Sequence, residues 1–67
     1  MTDTAALRSK IESSGYKISY IAGKAGLTYQ GFSNKLNNHQ DFRVREITVI
    51  CELLNIDADE RDKIFFA

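Results

Sequence analysis

Residues 15–38 read GYKISYIAGKAGLTYQGFSNKLNN, and this stretch decides the fold. Apolar residues recur in it at helical spacing: Ile18, Ile21, Ala22 and Ala25, then Phe32 and Leu36. The spacing predicts two short helices, over about residues 18–25 and 29–36. Gly26 can adopt the positive φ that ends a helix sharply, and Thr28 is a good N-cap for the second helix. The stretch therefore predicts two helices joined by a tight turn.

Working outward on the N-terminal side, the pattern predicts a first helix that begins after Thr2 or Thr4 and stops at Gly15. We expect Ala6, Leu7 and Ile11 to face inward from it. Tyr16 and Lys17 form a short link to the next helix.

On the C-terminal side, the polar residues 37–41 predict a loop. A fourth helix is expected over about 44–54, with Asn55 as its stop, and a last helix over about 58–66 after the N-cap Asp57. The predicted inward stripe of the fourth helix is Val44, Ile47, Ile50 or Cys51, and Leu54. With no proline and no strand-like alternation, the 67 residues predict one all-α domain of five helices over residues 1–67.

Composition excludes several classes of protein. The sequence has no long apolar run and no basic segment followed by an apolar stretch, so we expect neither a membrane span nor a signal peptide, and a cytoplasmic location. Cys51 is the only cysteine and fits the buried stripe as a small hydrophobe. His39, the only histidine, is expected on the surface. Nothing suggests a catalytic group, a metal, a cofactor or a small-molecule ligand.

The formal net charge is zero, but the charges are unevenly distributed. Residues 1–45 hold seven basic and three acidic side chains, a net charge of +4, while residues 46–67 carry −4. A polyanion would be steered to the basic part of the molecule.

The stretch 15–38 resembles the Cro/C1-type helix-turn-helix family, which is also called lambda-repressor-like or XRE. The resemblance is strongest at Ile21-Ala22, Gly26-Leu27, Phe32 and Asn37-Asn38, and it extends to the flanking helices. It implies a five-helix DNA-binding domain whose third helix enters the major groove. The polar face of that helix would then contact bases through Tyr29, Gln30, Ser33 and Asn34, and the two amides have the chemistry to bind adenine.

The resemblance also implies contacts to DNA phosphates, which set register and affinity. The residues expected to make them are Lys17, Ser19, Lys24, Lys35, Asn38, Arg43 and Arg45. Ile18 and Lys35 depart from the family pattern, since the family usually has glutamine at the first position and an apolar residue at the second. Gly31 is expected either to bring backbone near the groove or to be merely tolerated in the helix.

The C-terminal residues Ile64, Phe65 and Phe66 cannot all point inward from one helix. Either one phenylalanine lies loosely on the surface, or the exposed phenylalanine, Phe65 or Phe66, is a homodimer contact.

Two functions remain as hypotheses. The first is a phage Cro-like or small repressor-like regulator that occupies a palindromic double-stranded operator, in a bacterium or a phage-infected cell. The second is an antitoxin-like or regulator-binding interaction module of the same fold, which the neutral net charge and Ile18 favour.

Overall fold

The computed structural model describes residues 1–66 and confirms an all-α fold. Its five helices are α1 (Thr4–Ser14), α2 (Ile18–Lys24), α3 (Tyr29–Leu36), α4 (Val44–Leu54) and α5 (Ala58–Phe65). The expected bounds of α3 and α4 are confirmed at both ends, whereas α2 and α5 each end one residue earlier than expected. None of the helices within residues 1–66 has the length and apolar character needed to cross a membrane.

The turn between α2 and α3 is closed by backbone hydrogen bonds. Gly26 has φ 77°, as expected. The Leu27 N–H donates to the Ala22 carbonyl at 2.8 Å, and the Gly26 N–H donates to the Gly23 carbonyl at 3.1 Å. This pair of bonds is the Schellman arrangement, which satisfies the last carbonyls of a helix while it reverses the chain. Thr28 then caps α3, since its hydroxyl oxygen accepts from the Gly31 N–H at 3.0 Å.

The start of α1 differs from the expectation. Asp3, and neither Thr2 nor Thr4, is the N-cap, and its carboxylate accepts a hydrogen bond from the Ala6 N–H at 3.1 Å. The Asp3 N–H also donates to the Ile64 carbonyl of α5 at 2.6 Å. This bond between the two ends of the chain holds Asp3 where it can cap α1, and it leaves Thr2 buried. The ends of α1 at Gly15 and of α4 at Asn55 are as expected, with φ of 76° and 60°.

The core lies between the five helices, all of which contribute buried side chains. Phe32 is fully buried and meets Phe42 edge-on, with ring centroids 5.7 Å apart, and Phe42 meets Phe65 in the same way at 5.6 Å. The largest side chains buried with Phe32 are Leu7, Ile21, Leu36 and Ile50. Cys51 is buried as expected, and burial raises the pKa of its thiol although Arg61 opposes the shift.

Two expectations about the core are wrong. Val44 was expected on the buried stripe of α4 but is 76% exposed, because it is the first residue of α4 and helical side chains tilt toward the N-terminus, here past the end of the helix. Phe65 was expected as one of two possible dimer contacts, but its packing against Phe42 leaves it only 3% exposed. Ile64 and Phe65 close the core, and Phe66, just after α5, is the exposed residue of the three.

We expect Gly26→Ala to lower the free energy of unfolding by about 1–2 kcal/mol, because an L side chain is strained at positive φ. Gly23→Ala is the matched control: it lies inside α2, a Cβ there meets nothing within 4 Å, and alanine should stabilise the helix by up to about 1 kcal/mol. Urea unfolding measures both changes. Equal stability of Gly26→Ala and wild type would contradict the importance of this turn.

Candidate nucleic-acid interface

The outward face of α3 brings together the four residues expected to contact bases. Tyr29 is 59% exposed, Gln30 is exposed, and Ser33 and Asn34 are half-buried. At 3.6 residues per turn they cover one side of the helix, while Phe32 and Leu36 on the other side enter the core. The face therefore presents a phenol, a hydroxyl and two amides in one continuous polar patch.

The two amides of this face are joined to each other. The Gln30 Nε2 donates a hydrogen bond to the Asn34 Oδ1 at 3.0 Å, as their spacing of four residues on a helix allows. They are thus held side by side at the surface with polar atoms left for a ligand.

Gly31 borders this polar face, and its neighbour explains why glycine suits the position. A Cβ on Gly31 would lie 3.2 Å from the Thr28 hydroxyl oxygen, which caps α3. That distance is shorter than an ordinary van der Waals contact, so a larger residue would push on the cap. This local reason was not among the two alternatives that the sequence left open.

Two arginines lie at the start of α4, and one of them, Arg45, lies beside the turn that precedes α3. Arg43 is the N-cap of α4 and is exposed. Arg45 is also exposed, and its Nη2 would lie 3.9 Å from a Cβ placed on Gly26. Within residues 1–66 neither guanidinium forms an ion pair. The structure therefore places Arg45 against the α2–α3 turn, with Arg43 nearby in the chain.

Three residues around α2 were expected to contact phosphates. Lys17 and Ser19, at the start of α2, are exposed. Lys24 is also exposed, and its ammonium lies 5.4 Å from the centre of the Tyr20 ring. Lys24 and Tyr20 line a groove together with Val49 and Leu53 of α4. Lys24 is thus directed toward the α2–α4 groove, which no polar residue of the α3 face lines.

Ile18, which departs from the family pattern, is half-buried and packs against the core. An isoleucine has no polar atom to donate to a phosphate or to brace α3. Its contribution is apolar packing at the first turn of α2.

The expectation that Lys35 contacts a phosphate is wrong. Lys35 is 6% exposed, and its Nζ lies 2.5 Å from the Oε1 of Glu46, which is 3% exposed. The same Glu46 oxygen accepts a hydrogen bond from the Arg43 N–H at 2.8 Å. A buried ammonium needs such a partner, and because Glu46 supplies it, Lys35 turns inward.

The pKa of Glu46 reflects this environment. Burial by itself raises the pKa, but the hydrogen bond from the Arg43 N–H and the hydrogen bond and charge of Lys35 outweigh it, so the pKa lies below its ordinary value of 4.5. Glu46 is therefore held as a carboxylate.

The C-terminal end of α3 is held by a residue that the sequence did not point out. Arg8 of α1 donates from Nη2 to the Asn37 Oδ1 at 2.8 Å and to the Leu36 carbonyl at 3.4 Å. Asn38, an expected phosphate contact, is exposed at φ 61° just beyond this point. No sequence signal could have found Arg8, since its partners lie far away in the chain.

Comparisons of this chain with protein family models, with curated proteins and with solved structures gave no match.

We expect the lowered pKa of Glu46 to make stability depend on acid pH. A carboxyl whose folded pKa is depressed contributes stability that is present above its unfolded pKa and is lost as pH falls through its folded pKa. The free energy of unfolding of the wild type should therefore fall between about pH 5 and pH 3 more steeply than that of Lys35→Met/Glu46→Gln. Urea titrations across this range measure both slopes.

The double variant is the suitable comparison because glutamine keeps an acceptor for the Arg43 N–H while both charges are removed. Other carboxylates titrate equally in the two proteins and cancel in the difference. Identical slopes would show that Glu46 has the same pKa in the folded and unfolded states.

Proposed function

We propose that this protein is a sequence-specific DNA-binding transcriptional regulator, a phage Cro-like or small repressor-like protein of the cytoplasm. In this proposal α2 and α3 form a helix-turn-helix, and α3 enters the major groove of a palindromic operator. Occupation of the operator represses transcription. The protein acts by binding alone.

The observation that carries the proposal is the outward polar face of α3. A helix with an aromatic ring, a hydroxyl and two amides at its exposed side suits the donors and acceptors that base edges present in the major groove. Here Gln30 and Asn34 are hydrogen bonded to each other on the same side of a capped helix.

Exposed basic side chains support the same function. Arg45 lies against the turn before α3, and Arg43 and Lys17 are exposed. Contacts from such side chains to phosphates fix the protein on the duplex but do not distinguish sequences. In the proposal, the α3 face therefore distinguishes DNA sequences, while the basic residues hold the protein on any duplex.

A second candidate function is a protein-interaction module, either antitoxin-like or regulator-binding. Its support comes from two tyrosines: Tyr16, in the link before α2, and Tyr20 of α2 are stacked with ring centroids 5.2 Å apart and are each more than two-fifths exposed. Exposed tyrosines are frequent at protein interfaces, and the net charge of zero does not favour a polyanion.

We expect Gln30→Ala/Asn34→Ala to abolish sequence preference in a binding-site selection from random duplex DNA. Each good bidentate amide contact contributes about 1–3 kcal/mol of discrimination, so removal of both amides should leave only non-specific binding. Arg43→Ala/Arg45→Ala should instead weaken binding to all duplexes and reduce the slope of log affinity against log salt by about 0.9 for each phosphate that is no longer neutralised.

Lys63→Ala, an exposed change on α5, is the matched charge control and should alter neither property. Circular dichroism should give the same helix content for every variant. If the wild type shows no retention on duplex DNA at low salt, the regulator proposal fails and the interaction module is favoured. If the wild type selects a sequence and the amide variant selects the same one, the assignment of Gln30 and Asn34 is refuted.

We also propose that the regulator binds as a homodimer through Phe66. Phe66 is 58% exposed and lines a cleft with Met1, which is 82% exposed, at the edge of the core. Two subunits would match the two half-sites of a palindrome, about 34 Å apart.

Sedimentation at micromolar concentration should show a dimer for wild type and a monomer for Phe66→Ala, because the variant lacks the exposed apolar ring. Tyr16→Ala removes another exposed aromatic residue, which does not line this cleft, and should remain a dimer. Equal monomer masses for wild type and Phe66→Ala would remove the dimer proposal.

A further inference from the structure

A single carboxylate oxygen connects the end of α3 to the start of α4. The Glu46 Oε1 binds the Lys35 ammonium from the last turn of α3 at 2.5 Å and the Arg43 N–H from the start of α4 at 2.8 Å. Residues 37–42 form the connection between these two points. The oxygen therefore closes this connection and fixes the end of α3 relative to the start of α4.

Stability alone does not explain an ion pair at this place. Lys35 lies on the same buried side of α3 as Phe32 and Leu36, and its side chain is 7% exposed. Replacing a buried ion pair with packed apolar side chains is often neutral or stabilising. An apolar pair would, however, tolerate sliding and rotation of one helix against the other. The ammonium, the carboxylate and the amide hold only one arrangement, because hydrogen bonds are directional.

The position of Lys35 in the chain links its pairing with Glu46 to the orientation of the polar face of α3. Lys35 is the direct neighbour of Asn34, and Arg43 precedes Arg45 by two residues. A rotation of α3 that moved Lys35 away from Glu46 would move Asn34 and Gln30 by a similar amount. Arg8 holds the same end of α3 from α1, through the Asn37 side chain. The short helix is thus fixed at its C-terminal end from two sides.

We propose that the Lys35–Glu46 pair is a positioning element that sets the rotation of α3 relative to Arg43 and Arg45. This inference rests on the proposed function, since its consequence is that base contacts and phosphate contacts are made simultaneously. Binding sites tolerate misplacement of only about 0.5 Å in their contacting groups. Removal of the pair therefore reduces discrimination between DNA sequences while it leaves the charges that hold any duplex in place.

The test uses the full chain and two duplexes, the best sequence from a selection with wild type and a scrambled version of it. In Lys35→Met/Glu46→Gln both charges are removed, and glutamine still accepts from the Arg43 N–H. We expect this variant to fold, to bind the scrambled duplex within about twofold of wild type, and to lose about tenfold or more in the ratio of the two affinities. Gly23→Ala, which changes neither the pair nor the polar face, should keep the wild-type ratio.

A second variant, Lys35→Leu/Glu46→Leu, covers the case in which the first does not fold, because its apolar pair should pack. It should also lose discrimination, and its Arg43 N–H should exchange with solvent faster than in wild type. A folded variant with the wild-type affinity ratio overturns the positioning role, since a purely structural pair would change stability and not the ratio. If wild type itself does not distinguish the two duplexes, the proposed function fails instead.

Discussion

The backbone turn at Gly26 determines which side chains of α3 face outward. The hydrogen bond from Leu27 to the Ala22 carbonyl fixes where the chain leaves α2, and Thr28 fixes where α3 begins. Successive residues of a helix are about 100° apart, so a shift of one residue at this turn would bring Gly31 or Ser33 to the place of Phe32. The core therefore depends on the turn as much as the outward polar face does.

The features that could be predicted from the sequence are those with local signals. The features that could not be predicted depend mostly on residues far away in the chain. Thr28 acts on backbone within a few residues of itself, so the start of α3 could be predicted, and the polar face of α3 is the complement of its apolar stripe. The start of α1 also has a local signal, which was missed, because Asp3 is a good N-cap and bonds the Ala6 N–H three residues away. A bond from the Asp3 N–H to the Ile64 carbonyl, far away in the chain, additionally holds Asp3 in place. Lys35 could not be placed correctly, because a lysine is normally solvated and its burial depends on Glu46 in another helix.

Under the proposed function, the charges of the folded molecule bear on whether phosphate contacts or base contacts of the α3 face give selectivity. Lys35 is paired with Glu46, and Lys10 is paired with Glu60 at 2.5 Å. Two of the seven basic side chains of residues 1–45 are thus engaged in ion pairs, and the other five form none within residues 1–66. Affinity that comes from phosphates weakens with salt and does not distinguish sequences. A useful regulator of this kind has to obtain its selectivity from base contacts.

The hydrogen bond between Gln30 and Asn34 is compatible with such contacts. A glutamine amide binds adenine by accepting from N6 and donating to N7. The bond to Asn34 uses one of the two Nε2 hydrogens of Gln30, and the carbonyl oxygen and the second hydrogen remain for the base. Under the proposed function, Asn34 orients the Gln30 amide before DNA binds, which lowers the entropy cost of forming the contact. Asn34 keeps both of its Nδ2 hydrogens for a base contact of its own.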